Sequence, residues 1–128
     1  LRDAISKNYI ASSHDVSDGG LAVALSECCI LSSKGANIHL EGNKTRKDSI
    51  LFSEGGSRII FSLHKKEELN FLKLIKINTE MFGENVYVKK IGFVSEQNLD
   101  ITLQDKTICN LRVDELTEKF NNSISSYF

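Results

Sequence analysis

The sequence predicts an α+β domain, an α/β sandwich in which helices pack on a mixed sheet. Three observations lead there. Helical and strand periods are mixed along the chain, in the order helix, helix, strand, strand, helix, strand, strand, strand, helix. Leu99–Leu103 alternates apolar and polar residues, Gln104-Asp105-Lys106 is a turn, and Ile108–Val113 returns, so a hairpin supplies antiparallel pairing. The segment after Gly20, Leu21-Ala22-Val23-Ala24-Leu25-Ser26-Glu27-Cys28-Cys29, is apolar enough to be a helix buried on most of its faces.

Each element follows from its local pattern. Leu1 to Lys7 reads as the end of a helix, with Leu1, Ala4 and Ile5 at helical spacing and no capping residue before them; this is expected of a piece of a longer protein. Tyr9-Ile10-Ala11 is a short extended lead into a glycine turn. The helix from Gly20 runs to Ser32 and stops at Ser33-Lys34-Gly35, where Gly35 suits a left-handed cap. Ala36–Leu40 alternates as a strand does, and the polar run from Glu41 to Asp48 is an exposed loop. Ile59–Leu63 opens with three consecutive apolar residues, as a central strand covered on both faces would. Lys65–Asn78 is a helix whose buried face is marked by Leu69, Leu72 and Ile75 and widened by Phe71 and Leu74, and Met81-Phe82-Gly83 closes it. Val86-Tyr87-Val88 and Ile91-Gly92-Phe93-Val94 form one strand with a bend. Asp114 caps a last helix, with Leu116, Phe120 and Ile124 on its buried face.

Composition narrows the function classes. The chain of 128 residues is long enough for one domain with a core of its own. A net charge of −1 with dispersed lysines and arginines gives no footprint for nucleic acid, and the apolar runs are too short to span a membrane. Cys28, Cys29 and Cys109 have no metal-site spacing and read as small buried apolar residues; their odd number, without a secretory signal, suits a reducing, cytoplasmic setting.

The chain is organised around His14-Asp15-Val16-Ser17-Asp18-Gly19-Gly20. A glycine turn feeding a helix start gathers orphan N–H groups at the positive end of the helix dipole, which suits a phosphate or carboxylate. The same residues also make an ordinary capped helix, with Ser17 or Asp18 as the cap. A second glycine pair, Ser53-Glu54-Gly55-Gly56-Ser57-Arg58, carries an acid and a base. Glu54 and Arg58 either pair across that turn or face a ligand. His14, Asp15, Ser17, Asp18, Gly19, Gly20, Glu54 and Arg58 are therefore the candidate substrate- or phosphate-binding residues. Asp15, Asp18 and Glu54 would make a carboxylate group only if the two turns meet. No nucleophile–base pattern and no metal-ligand spacing is present, and Asp15–Gly19 lacks the later ligands of a calcium loop.

The stretch from His14 to Ala22 closely resembles a signature of the formylglycinamide ribonucleotide amidotransferase family, also called phosphoribosylformylglycinamidine synthase. Leu51-Phe52-Ser53-Glu54 with Arg58 is similar to its Leu-Phe-x-Glu…Arg segment, Ile91-Gly92-Phe93-Val94 to its Ile-Gly-x-Val strand, and the helix from Asp114 to its C-terminal helix. The resemblance covers nearly the whole chain and points to the last domain, residues 1–128, of a longer synthetase subunit in the small, multi-subunit form. It implies a fold of the aminoimidazole-ribonucleotide-synthetase-like superfamily, partly ferredoxin-like, like the C-terminal domain of that synthetase. It implies a part in the ligase that turns formylglycinamide ribonucleotide, ATP and glutamine-derived ammonia into formylglycinamidine ribonucleotide in cytoplasmic purine synthesis. ATP and magnesium belong to the full enzyme, and none is expected in this piece. The implied partners are the rest of the subunit, a glutaminase subunit and a small bridging subunit; an excised piece is also expected to self-associate. The family's synthetase resembles a duplicated pair of halves, and this chain matches the second. Glu54, Gly55 and Gly56 then read as a pseudo-symmetric echo of a substrate segment in the first half. A structural and interaction module is the competing reading, and a domain of another superfamily member, of selenide or thiamine-phosphate kinase or hydrogenase-maturation type, is a third.

Overall fold

A computed structural model describes residues 1–42, 46–83 and 87–123. In chain order the elements are α1 (Arg2–Ser6), β1 (Ser12–Asp15), α2 (Gly20–Ser32), β2 (Gly35–Leu40), α3 (Lys47–Phe52), β3 (Ile59–Ser62), α4 (Glu68–Phe82), β4 (Gly92–Ser95), β5 (Asn98–Leu103), β6 (Lys106–Arg112) and α5 (Val113–Asn122), with a 3-10 turn over Lys65–Glu67 before α4. Backbone contacts divide them into two compact units, one of residues 1–14 and 59–90, the other of residues 15–58 and 91–123.

The larger unit holds a four-stranded sheet in the order β4-β2-β5-β6. β2 runs parallel to β5 and antiparallel to β4, and β5 and β6 form the antiparallel hairpin, so the sheet is mixed as expected. Gln104 and Asp105 both take positive φ, 49° and 62°, the geometry of a two-residue hairpin turn, so β6 begins at Lys106. Register places Ala36, Ile38 and Leu40 of β2 beside Leu99, Ile101 and Leu103 of β5, and all six are buried. Helix α2 covers this face with Ala24, Leu25 and Cys29, and α3 and α5 pack against α2. The sheet's other face is polar, with His39 bonded to Thr102 at 2.7 Å and Asn110 donating to Asp100.

In the smaller unit β1 and β3 form a two-stranded sheet, with Ala11 N–H donating to Ser62 O at 2.8 Å. Phe71 of α4 is buried and packs its ring 4.9 Å from that of Phe61.

Several expectations are corrected. Gly35 does not cap α2. Ser33 takes the left-handed cap at φ 52°, and Gly35 starts β2, where a Cβ would lie 2.2 Å from Asn98 O; the glycine serves close strand approach. The run beginning at Ile59 is not a buried central strand, because β3 has only β1 as its sheet partner among the described residues and Ile59 is 49% exposed. The buried stripe of α4 runs through Phe71, Leu74 and Ile75, since the large ring takes the central position, and it leaves Leu69 71% exposed and Leu72 exposed. Residues 87–90 are not strand, so β4 is short; Val86 lies outside the described residues. Lys47–Phe52 is helical rather than loop at its start, with Ile50 and Leu51 half-buried. Helix α5 begins two residues early: Arg112 is its N-cap, and Asp114 accepts the Glu115 N–H at 2.9 Å from within the first turn. Burial on α5 is confined to its start, at Val113, Leu116 and Thr117. Phe120 is exposed, and Ile124 lies outside the described residues.

Candidate functional site

The two glycine turns meet inside the larger unit. Gly19 is the N-cap of α2 at φ 76°, and Gly20 follows at φ 73°. Both lie in the left-handed region where a side chain is strained. A Cβ on Gly20 would sit 2.7 Å from Phe52 C and 2.8 Å from Ser53 O, so the end of α3 rests directly on this glycine. Two hydrogen bonds fasten the segments, and a third closes the first turn on itself. Val16 N–H donates to Arg58 O at 2.9 Å, Gly19 N–H donates to Glu54 Oε1 at 2.9 Å, and Gly20 N–H donates to Ser17 O at 3.1 Å. Val16 is buried beneath the turn.

Sequence reasoning offered Ser17 or Asp18 as the cap. Neither makes a side-chain capping bond to α2; both are exposed, and the acceptor comes from Glu54 instead. A carboxylate there also meets the positive end of the helix dipole, worth about 0.3–1 kcal/mol at an exposed position. Glu54 and Arg58 do not pair with each other. The Arg58 guanidinium turns back on its own loop, where Nη2 donates to Ser53 O and lies 3.4 Å from Ser53 Oγ. Its Nε is buried and has no hydrogen-bond partner among the described residues. Asp15 and Asp18 are exposed, and His14 is half-buried on β1 in the smaller unit.

Among the described residues, no group of three or more His, Cys, Asp and Glu is placed to hold a metal ion. The Gly19 N–H, one donor of the turn, is bonded within the chain to Glu54. The cysteines pack rather than react. Burial, helped by the neighbouring Cys28 and Cys109 thiols, pushes the Cys29 thiol up to about 11, and burial also raises Cys28 and Cys109. A groove lined by Ser33, Gln97, Arg112, Val113, Thr117 and Glu118 lies at the other end of α2 from the glycine turn. No helix of the described residues is long and apolar enough to cross a membrane.

The family described as AIR synthase related protein, C-terminal domain, matches residues 1–102, which include both glycine turns and the strands through β5. The chain belongs to this family. Among its relatives, a phosphoribosylformylglycinamidine synthase subunit PurL of Prochlorococcus marinus subsp. pastoris is 77% identical over 128 residues, all of this chain and 16% of that protein. The chain thus spans about one sixth of the length of the curated relatives it matches. Among solved structures, Thermotoga maritima PurL complexed with ATP superposes with a TM-score of 0.71 at 16% identity, over 90% of this chain and 20% of that one. The same protein complexed with FGAR gives a TM-score of 0.72 at 16% identity, over 90% of this chain and 19% of that one. These likenesses establish the fold. In this AIR-synthase-related domain the matched residues stop at Thr102, so β6 and α5 lie beyond the match.

The sequence missed the Glu54 cap. Glu54 and Gly19 lie 35 residues apart, and no local pattern couples positions at that range. The one available signal was the resemblance, which placed both segments in the same family.

Proposed function

We propose that this chain is the C-terminal domain of a phosphoribosylformylglycinamidine synthase subunit. It serves the ATP-dependent ligase that makes formylglycinamidine ribonucleotide from formylglycinamide ribonucleotide and glutamine-derived ammonia in cytoplasmic purine synthesis. The observation that supports this reading is 77% identity, over the full chain, to a protein of that name. In the whole enzyme, ATP activates the amide oxygen and ammonia displaces phosphate; ATP and magnesium are held mainly by other parts of the subunit. The partners are the rest of the subunit, a glutaminase and a small bridging subunit.

Within that enzyme the domain acts by packing and positioning. One feature favours this structural role over a ligand-binding one: the N–H of Gly19, the N-cap of α2, is bonded to the chain's own Glu54. The 128-residue chain by itself is therefore expected to be catalytically inert. The test is ADP release from the purified chain with formylglycinamide ribonucleotide, ATP, magnesium and ammonia. No substrate-dependent release is expected. Turnover near that of a whole synthetase subunit would overturn the non-autonomous reading.

A further inference from the structure

We propose that Glu54 is a positioning residue that occupies, from within the chain, the acceptor position facing the Gly19 N–H at the N-cap of α2, so that the glycine donors of the turn are closed to external phosphate. This does not rest on the ligase reading; it concerns what the turn itself holds. The first N–H groups of a helix have no partners inside the helix and must find acceptors elsewhere. Here Gly19 N–H donates to Glu54 Oε1 at 2.9 Å and Gly20 N–H donates to Ser17 O at 3.1 Å, so both glycine donors of the turn are already used.

Glu54 is brought to this place by its backbone and does not merely swing into it. On one side of Glu54, the Phe52–Ser53 backbone abuts Gly20 so closely that a Cβ there would lie 2.7 Å from Phe52 C. On the other side, Arg58 O accepts the Val16 N–H at 2.9 Å. The Arg58 guanidinium then ties the loop to itself by donating to Ser53 O. Gly55 and Gly56 have open space around their missing side chains, so the fit to the turn is made by Ser53 and Glu54 and not by these glycines. A carboxylate tethered in this way acts at an effective concentration on the order of millimolar or more, and a free anion must outcompete it.

The experiment follows the Gly19 amide by NMR in the 128-residue chain and its Glu54→Ala and Glu54→Gln variants, with inorganic phosphate as the probe. In the parent, phosphate is expected to cause no saturable shift at Gly19. In Glu54→Ala, the Gly19 amide is expected to exchange with solvent about five- to tenfold faster, and phosphate is expected to shift it saturably and to slow that exchange. Loss of a purely structural contact would speed exchange without creating an anion site. Glu54→Gln keeps an acceptor oxygen without the charge and is expected to fall between the two. Saturable phosphate binding by the parent would overturn the proposal, as would Gly19 exchange in Glu54→Ala within twofold of the parent. If Glu54→Ala does not fold, Glu54→Gln decides: exchange at Gly19 equal to the parent's overturns the charged-cap assignment, and faster exchange slowed by phosphate upholds it.

Discussion

Replacing Gly20 by alanine puts the turn geometry to its most direct test. Gly20 lies at φ 73°, and its Cβ would meet Phe52 C at 2.7 Å and Phe52 Cα and Ser53 O at 2.8 Å. An L-residue in the left-handed region costs roughly 1–2 kcal/mol. Forcing a methyl group into filled space adds roughly 1–3 kcal/mol. The obstructing atoms are backbone and cannot swing aside, so both costs apply, and Gly20→Ala is expected to destabilise by about 2–5 kcal/mol. Gly55 is the internal control. Nothing lies within 4 Å of its missing Cβ and its φ is not in the left-handed region. Gly55→Ala is expected to be neutral or to stabilise by up to about 1 kcal/mol, through loss of freedom in the unfolded chain. Urea denaturation of the parent and both variants, followed by far-UV circular dichroism, measures the difference. Gly20→Ala within about 0.5 kcal/mol of the parent, or Gly55→Ala as damaging as Gly20→Ala, would refute the close packing of the two turns.

Ile101 is 1% exposed in an interior strand, between Ile38 and Cys109. Ile101→Ala is expected to cost about 2–5 kcal/mol in the same assay, while Leu31→Ala, at a position 80% exposed on α2, should change stability by less than about 0.5 kcal/mol. Because folding raises the Cys29 thiol from 9.0 to about 11, the folded state keeps a proton that the unfolded state loses. Its stabilising contribution is therefore present below pH 9 and is lost as pH rises through about 11. Denaturation midpoints at pH 8 and pH 10.5 should differ less in Cys29→Ala than in the parent; an equal fall in both would contradict the assignment.

What could be read from sequence was what depends on near neighbours. The period of Leu99–Leu103, the turn at Gln104-Asp105 and the apolar run after Gly20 predicted the hairpin and the helix that covers it, because burial on one face imposes its spacing on the residues themselves. The His14–Gly20 stretch marked the organising turn for the same reason, since short polar residues and glycines are what such a turn requires. Three matters were left to the tertiary structure. Which face of α4 is buried depended on the Phe61 ring across from Phe71, not on the helix's own count of leucines. Gly35 and Gly92 are glycines because backbone oxygens of other strands, Asn98 O and Asn37 O, come within 2.2 and 2.0 Å of where a Cβ would stand. The acceptor for the Gly19 N–H comes from Glu54, 35 residues away. A residue's own helical or strand preference acts over a few positions, whereas the distance between two backbones is set only when the intervening chain has folded and closed its loops.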